Sequence, residues 1–127
     1  MPIVETDHTA IRTADMEATR DFYVRILGLT EGPRPDLGYH GYWIYLGKQA
    51  IIHLIAPGRE MGGGNGPDTG NFDHLALSGQ DFPGMKKHLA ELGVEFRERH
   101  VPNVRLRQIF VYDPNRILVE INFRNTD

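Results

Sequence analysis

Residues 7–12, DHTAIR, alternate in the manner of a strand: Thr9 and Ile11 point one way, His8, Ala10 and Arg12 the other. From Asp15 the period changes. Ala18, Phe22 and Ile26 recur every four residues with Tyr23 and Leu27 beside them, which predicts an amphipathic helix begun by an Asp N-cap and stopped at Gly28. Strand patterns follow over 29–32, 42–46 and 50–55. The second half repeats this succession. A strand is expected over 72–78, a helix over 82–92 with Phe82, Met85, Leu89 and Leu92 on one face, and strands over 94–99, 106–112 and 117–123. Pro83 falls in the first helical turn, where its missing N–H costs nothing.

The two halves are related residue by residue. Asp-His-x-Ala occurs at 7–10 and again at 73–76, an offset of 66 that also relates Asp15 to Asp81. Trp43-Ile44-Tyr45 stands 67 residues before Phe110-Val111-Tyr112, and the run 50–54 stands 67 before 117–121. Four matches in one order indicate a duplicated unit. The chain is expected to be a single domain, 1–127, of class α+β. It would hold two tandem βαβββ modules, 1–57 and 71–127, joined by a glycine-rich linker over 58–70. A sheet with one helix on one face leaves its other face bare. Two such sheets are therefore expected to curl into an open, cup-like mixed barrel with the helices outside.

Strand phase then selects the chemistry. If Thr9, Ile11, Ile52, Leu54, Leu75, Leu77, Val119 and Ile121 face the helices, the alternate set facing the cup contains His8, His53, His74 and Glu120. These are repeat-equivalent pairs from the first and last strands of each module. Imidazoles and a carboxylate converging in a partly apolar cup describe a divalent metal site. Two histidines and one carboxylate with open positions are the facial triad of non-haem Fe(II) chemistry. His40, His88 and His100 match no repeat position and are expected on the surface or in loops.

Composition narrows the partners. With 127 residues, 40% apolar and 24% charged, the chain is ordinary globular material, and its net charge of −3 with scattered Lys and Arg gives no reason to expect nucleic acid. No apolar run has membrane length, and MPIVETDHTA has no signal-peptide character, so a cytoplasmic protein is expected. Cysteine is absent, which excludes disulfides and thiolate ligands.

The paired modules, DHTAIRTAD with DFYVRILGL behind it, DHLAL and FVYDPNRILVEIN together resemble the vicinal oxygen chelate superfamily. That group comprises glyoxalases, fosfomycin- and bleomycin-resistance proteins, methylmalonyl-CoA epimerases and extradiol dioxygenases. The resemblance spans essentially the whole chain. It implies His8, His74 and Glu120 as metal ligands with His53 at the fourth position, and a homodimeric assembly. In glyoxalases the position of His53 holds a carboxylate that also moves the substrate proton, and in epimerases of the group glutamine is usual there. An imidazole removes that charge and leaves His53 as a fourth ligand or as an acid/base.

The expectation is a ring-cleaving, extradiol-like dioxygenase chelating a substrate with vicinal oxygens on a divalent ion. Fe(II) is favoured, with Ni, Zn or Mn as alternatives, and His53 and Tyr112 would handle protons. The alternatives are a glyoxalase-like lyase or isomerase working through an enediolate, and a metal-free drug-binding protein. Trp43, Tyr45, Phe110 and Tyr112 are expected in the helix-facing core. Arg105, Arg107 and Gln108 are placed near the rim, where an Arg could hold a carboxylate, although a solvated face is the simpler expectation.

Overall fold

The computed structural model of the protein describes residues 5–58 and 72–125, so the expected linker lies outside the described residues apart from Gly58. Contacts divide the chain into two compact units, Met1–Pro67 and Asp68–Asp127. Both have the predicted βαβββ order.

In the first unit, β1 (Thr9–Arg12) is followed by α1 (Met16–Asp21), a π-helical turn Phe22–Ile26, β2 (Thr30–Gly32), β3 (Tyr42–Leu46) and β4 (Gln49–Ile55). The sheet order is β1-β4-β3-β2, with β1 parallel to β4 and the other pairs antiparallel. Asp15 caps α1 by accepting from the Ala18 N–H at 3.1 Å. The expected continuous α-helix widens near its end, where Leu27 N–H donates to the Phe22 carbonyl five residues back at 3.0 Å. Gly28, at φ +82°, then turns the chain.

The buried stripe of this helix is Met16, Thr19, Phe22 and Tyr23 rather than the expected Ala18–Phe22–Ile26 row. A threonine can occupy the fully buried position 19 because its hydroxyl is satisfied, by the Asp15 carbonyl and the Thr13 hydroxyl, each at 2.9 Å. Against the stripe pack Ile11, Ile44, Ile52 and Leu54, all essentially inaccessible. Each such side chain contributes roughly 1.5–3 kcal/mol relative to exposure.

In the second unit, β5 (His74–Ser78) leads to α2 (Phe82–Glu91), β6 (Arg97–Val101), a short 3₁₀ turn, β7 (Leu106–Tyr112) and β8 (Leu118–Arg124). The order is β5-β8-β7-β6, again with only the first pair parallel. β6 begins three residues later than expected, and Leu92, counted on the apolar face of α2, is 43% exposed. α2 covers the face formed by Ile109, Val111, Val119, Ile121 and Phe123, with Phe82 meeting the Phe123 ring at 5.5 Å.

The described strands form two separate four-stranded sheets, so they do not pair into one continuous barrel. No helix among the described residues is long and apolar enough to cross a membrane.

The four aromatics expected under the helices lie on the opposite faces. Trp43 pairs with His53, and Phe110 pairs with Glu120. In the first unit a β-bulge is responsible. Leu46 pairs with Gln49 and Tyr45 with Ala50, but Ile44 pairs with Ile52, leaving Ile51 as the extra residue. A regular hairpin would set Trp43 opposite Ile52, on the helix side; the one-residue slip turns it to the histidine side.

Candidate functional site

Each unit presents half of the sequence-predicted set on the sheet face away from its helix. In the first unit His8 lies immediately before β1, and Ala10, two residues on, pairs with His53. The His8 and His53 rings stack at 3.7 Å between centroids with planes 10° apart, and His53 stacks on Trp43 at 4.0 Å and 7°. His8 donates its Nδ1–H to Asp7 Oδ1 at 2.6 Å. A carboxylate can only accept, so this bond fixes the tautomer and leaves the Nε2 lone pair free. The Gln49 amide donates to the carbonyls of Thr6 and Asp7, at 2.9 and 2.5 Å, which pins the backbone leading into His8. An open cavity of about 600 Å³ borders this group, lined in part by Asp7, Trp43, Lys48, Gln49 and His53.

The second unit repeats the device. His74 Nδ1 donates to Asp73 Oδ2 at 2.8 Å, and His74 Nε2 faces Glu120 Oε1 at 3.6 Å. The Glu120 side chain is only 16% exposed. Its other oxygen, Oε2, accepts from Asn122 Nδ2 at 2.8 Å, and Asn122 Oδ1 accepts from the buried Gln108 Nε2 at 2.9 Å. The carboxylate sets the direction of this chain, because Asn122 must donate to it and therefore can only accept from Gln108. Gln108 Oε1 ends the chain, buried and without a partner.

One imidazole in each unit has a displaced pKa, and the two move in opposite directions. Burial pushes the His53 pKa down, helped by the neighbouring His8 and opposed by a bond to the Ala50 carbonyl. The hydrogen bond that His74 donates to Asp73 holds its pKa above the ordinary value, with burial opposing and the Glu120 charge adding to it.

Other sequence-predicted residues fall elsewhere. Tyr112 shares the Glu120 face, paired with Leu118, and is 58% exposed. Arg107 points to the helix side, over the Phe82 ring at 5.6 Å, and Arg105 donates to the Asn125 carbonyl at 3.1 Å. Gln108 is interior, not at a rim. His40 is exposed and bonded to Glu17 Oε1 at 2.6 Å, and His88 and His100 are also exposed. Within neither unit do three or more His, Asp or Glu side chains gather into a metal-holding cluster among the described residues. The first unit brings His8 and His53 together; the second brings His74 and Glu120 together. Asp7, Asp73 and Asn122 carry no signal in their own chemistry that singles them out in the sequence. The signal for the two aspartates was present, since each is the first residue of the repeated Asp-His-x-Ala.

Residues 5–121 match the sequence profile of the Glyoxalase/Bleomycin resistance protein/Dioxygenase superfamily. The chain belongs to that superfamily. Solved structures agree on the superfamily fold. TnmS3, an antibiotic-binding protein from Streptomyces sp. CB03234, is 20% identical with a TM-score of 0.76, over 98% of this chain and 99% of its own. A superfamily member from Sphaerobacter thermophilus DSM 20745 is 24% identical with a TM-score of 0.73, over 98% and 100%. Lactoylglutathione lyase from Agrobacterium tumefaciens is 19% identical with a TM-score of 0.71, over 97% and 96%. No match was found among curated proteins. The same fold thus serves an antibiotic-binding protein and a lyase, and the fold alone does not select a reaction.

Proposed function

We propose that this superfamily member is a metal-dependent enzyme in which His8, His74 and Glu120 hold a divalent cation, and that it acts on a substrate with two neighbouring oxygens. The observation that carries this reading is the duplicated Asp–His pair. Asp7 and Asp73 each take the Nδ1–H of the next residue, 2.6 and 2.8 Å away, and so leave both Nε2 lone pairs available. A carboxylate behind a metal-binding imidazole is the usual means of fixing its tautomer and raising its basicity. Glu120 suits the third place, because Asn122 occupies Oε2 and leaves Oε1 directed at His74. Nitrogen and oxygen donors without thiolate accept Fe(II), Ni, Zn or Mn, and the two-His, one-carboxylate set favours Fe(II).

His53 has a different role. Its ring lies parallel to His8 at 3.7 Å, and an ion bound at about 2.1 Å must lie near the plane of each ligating imidazole. Parallel planes separated by that stack cannot both contain it. While stacked, only one of the pair can be a ligand, and His8 has the oriented free nitrogen. His53, whose depressed pKa keeps it neutral at physiological pH, accepts the proton released when a substrate hydroxyl ionises. A cation held by His8, His74 and Glu120 would supply Lewis acidity towards the paired oxygens of the substrate. Trp43 supports the His53 ring from its other neighbour contact, and Tyr112, exposed on the Glu120 face, is a second group available for proton handling.

The reaction favoured is extradiol-type ring cleavage. Oxygen uptake by Fe(II)-reconstituted protein with catechols tests it. Turnover that slows in His53→Gln while iron stays bound supports the assignment. Iron-loaded protein that consumes no oxygen but isomerises 2-oxoaldehyde–thiol adducts would replace it with a lyase or isomerase.

A further inference from the structure

The first unit holds an arginine that pairs with no carboxylate among the described residues. Arg34 lies between β2 and β3, half-buried, with its guanidinium over the Tyr39 ring at 4.9 Å. Its Nη2 is shut off from solvent and makes no hydrogen bond. No carboxylate pairs with it among the described residues: Glu31 is engaged by Arg20, and Asp36 accepts from the Gly38 N–H. A sequestered, unsatisfied cationic donor is costly unless something arrives to pair with it.

Tyr45, which shares the Trp43 side of β3, fixes where this group lies: its hydroxyl donates to the carbonyl of Pro33, the residue before Arg34, at 2.6 Å. A Cβ added to Gly41 would stand 3.0 Å from Arg34 Nη2 and 2.7 Å from the Leu54 carbonyl. Glycine thus leaves the room in which the guanidinium sits. The Arg34 charge also acts on His53, whose other face-sharing neighbours are the rings of His8 and Trp43. Cation, planar rings and the candidate proton acceptor therefore share one face of one sheet.

We propose that Arg34 forms an anion subsite on the Trp43–His53 face, and that the substrate is a planar molecule bearing a carboxylate or phosphonate-type oxyanion. The guanidinium fork matches such a group, and the Tyr39 ring beneath holds the fork in place. This deepens the functional proposal and rests on its assumption that the His8–His53–Trp43 face receives substrate. Overall electrostatics work against the binding of anions, since the chain carries a net charge of −3, so an anion preference here requires a local cation.

Trp43 is the only tryptophan of the chain, so its fluorescence reports on this face. The test titrates chelator-treated protein, at fixed ionic strength, with benzoate, phenylphosphonate and neutral benzamide. At least one of the two anions is expected to bind about tenfold or more tightly than benzamide, as a charge-assisted hydrogen bond implies. Which of them binds more tightly distinguishes a carboxylate from a phosphonate-type group. Arg34→Gln should abolish the preference, and Arg34→Lys, which keeps charge without the fork, should retain part of it. Equal binding of anions and benzamide to the wild type overturns the Arg34 subsite but leaves the face as a binding surface. Persistence of the preference in folded Arg34→Gln also overturns it. If no compound perturbs Trp43, both the subsite and the substrate face are overturned. Because metal is absent throughout, none of these outcomes bears on the cation ligands.

Discussion

Removing the Asp73 carboxylate is the most informative single perturbation of the proposed centre. In Asp73→Ala, His74 loses the acceptor 2.8 Å from Nδ1, and its ring becomes free to rotate or to exchange tautomers. Outer partners of this kind are commonly worth 10–100-fold in metal affinity. Here the lower end applies, because the Asp73 side chain is 87% exposed and His74 37%, so water replaces part of what is lost. The expected cost is about tenfold, or ~1.4 kcal/mol. The same change at Asp7 should cost about as much, since the geometry is repeated. If both imidazoles serve one cation, the double variant should lose more than either single variant. Competition against a chromogenic chelator with Zn(II) or Co(II) measures this. It should be done at pH 8, because the loss of Asp73 also lowers the proton affinity of His74 and would hide part of the effect at lower pH. Asp73→Asn, whose amide oxygen can still accept from Nδ1, should recover part of the loss. Less than a twofold change in both single variants would refute the orienting role.

Three further outcomes follow from the packing and the charges. In the metal-free protein, NMR titration should place His74 above and His53 below the ordinary value of 6.5. Linkage then gives His74 a stabilising contribution that is complete below 6.5 and lost as the pH rises through its folded-state value. The His53 contribution is complete above 6.5 and declines as the pH falls through its own. Thr19→Val removes a fully buried hydroxyl and leaves the Thr13 O–H without its acceptor, although the Thr13 oxygen still accepts from the Asp15 N–H, so urea unfolding should show a loss of about 1–3 kcal/mol. Gly32→Ala would bring a Cβ to 2.7 Å from the Tyr45 ring, which is tied through its hydroxyl to the Pro33 carbonyl, and should cost about 1–3 kcal/mol by overpacking.

The parts of this fold that could be read in the sequence are those governed by short periods. Alternation along 7–12 and 50–55 correctly assigned Ile11, Ile52 and Leu54 to the helix side, because each strand carries its own two-residue phase. Relative phase between strands is a different matter. Trp43 and Tyr45 were assigned to the core, and the bulge at Ile51 reverses that; nothing in the local composition announces one extra residue in a ladder. The π-helical turn moves the positions after Phe22 for a similar reason, so Ile26 falls off the buried row, since a single five-residue hydrogen bond advances every later position. In the site, residue type and repeat position pointed to His8, His53, His74 and Glu120. The Asn122–Gln108 chain and the unpaired Arg34 depend on cross-strand register and loop conformation, which have no period to betray them.

Cation stoichiometry across three variants puts the proposed centre to its most direct test. Protein purified without oxygen, loaded with Fe(II) or Co(II) and desalted should hold about one equivalent per chain. His8→Ala, His74→Ala and Glu120→Ala, drawn from both units, should each fall below about a tenth of that while remaining folded. A wild type that holds no cation, or full loading in any one of the three variants, would contradict a shared site.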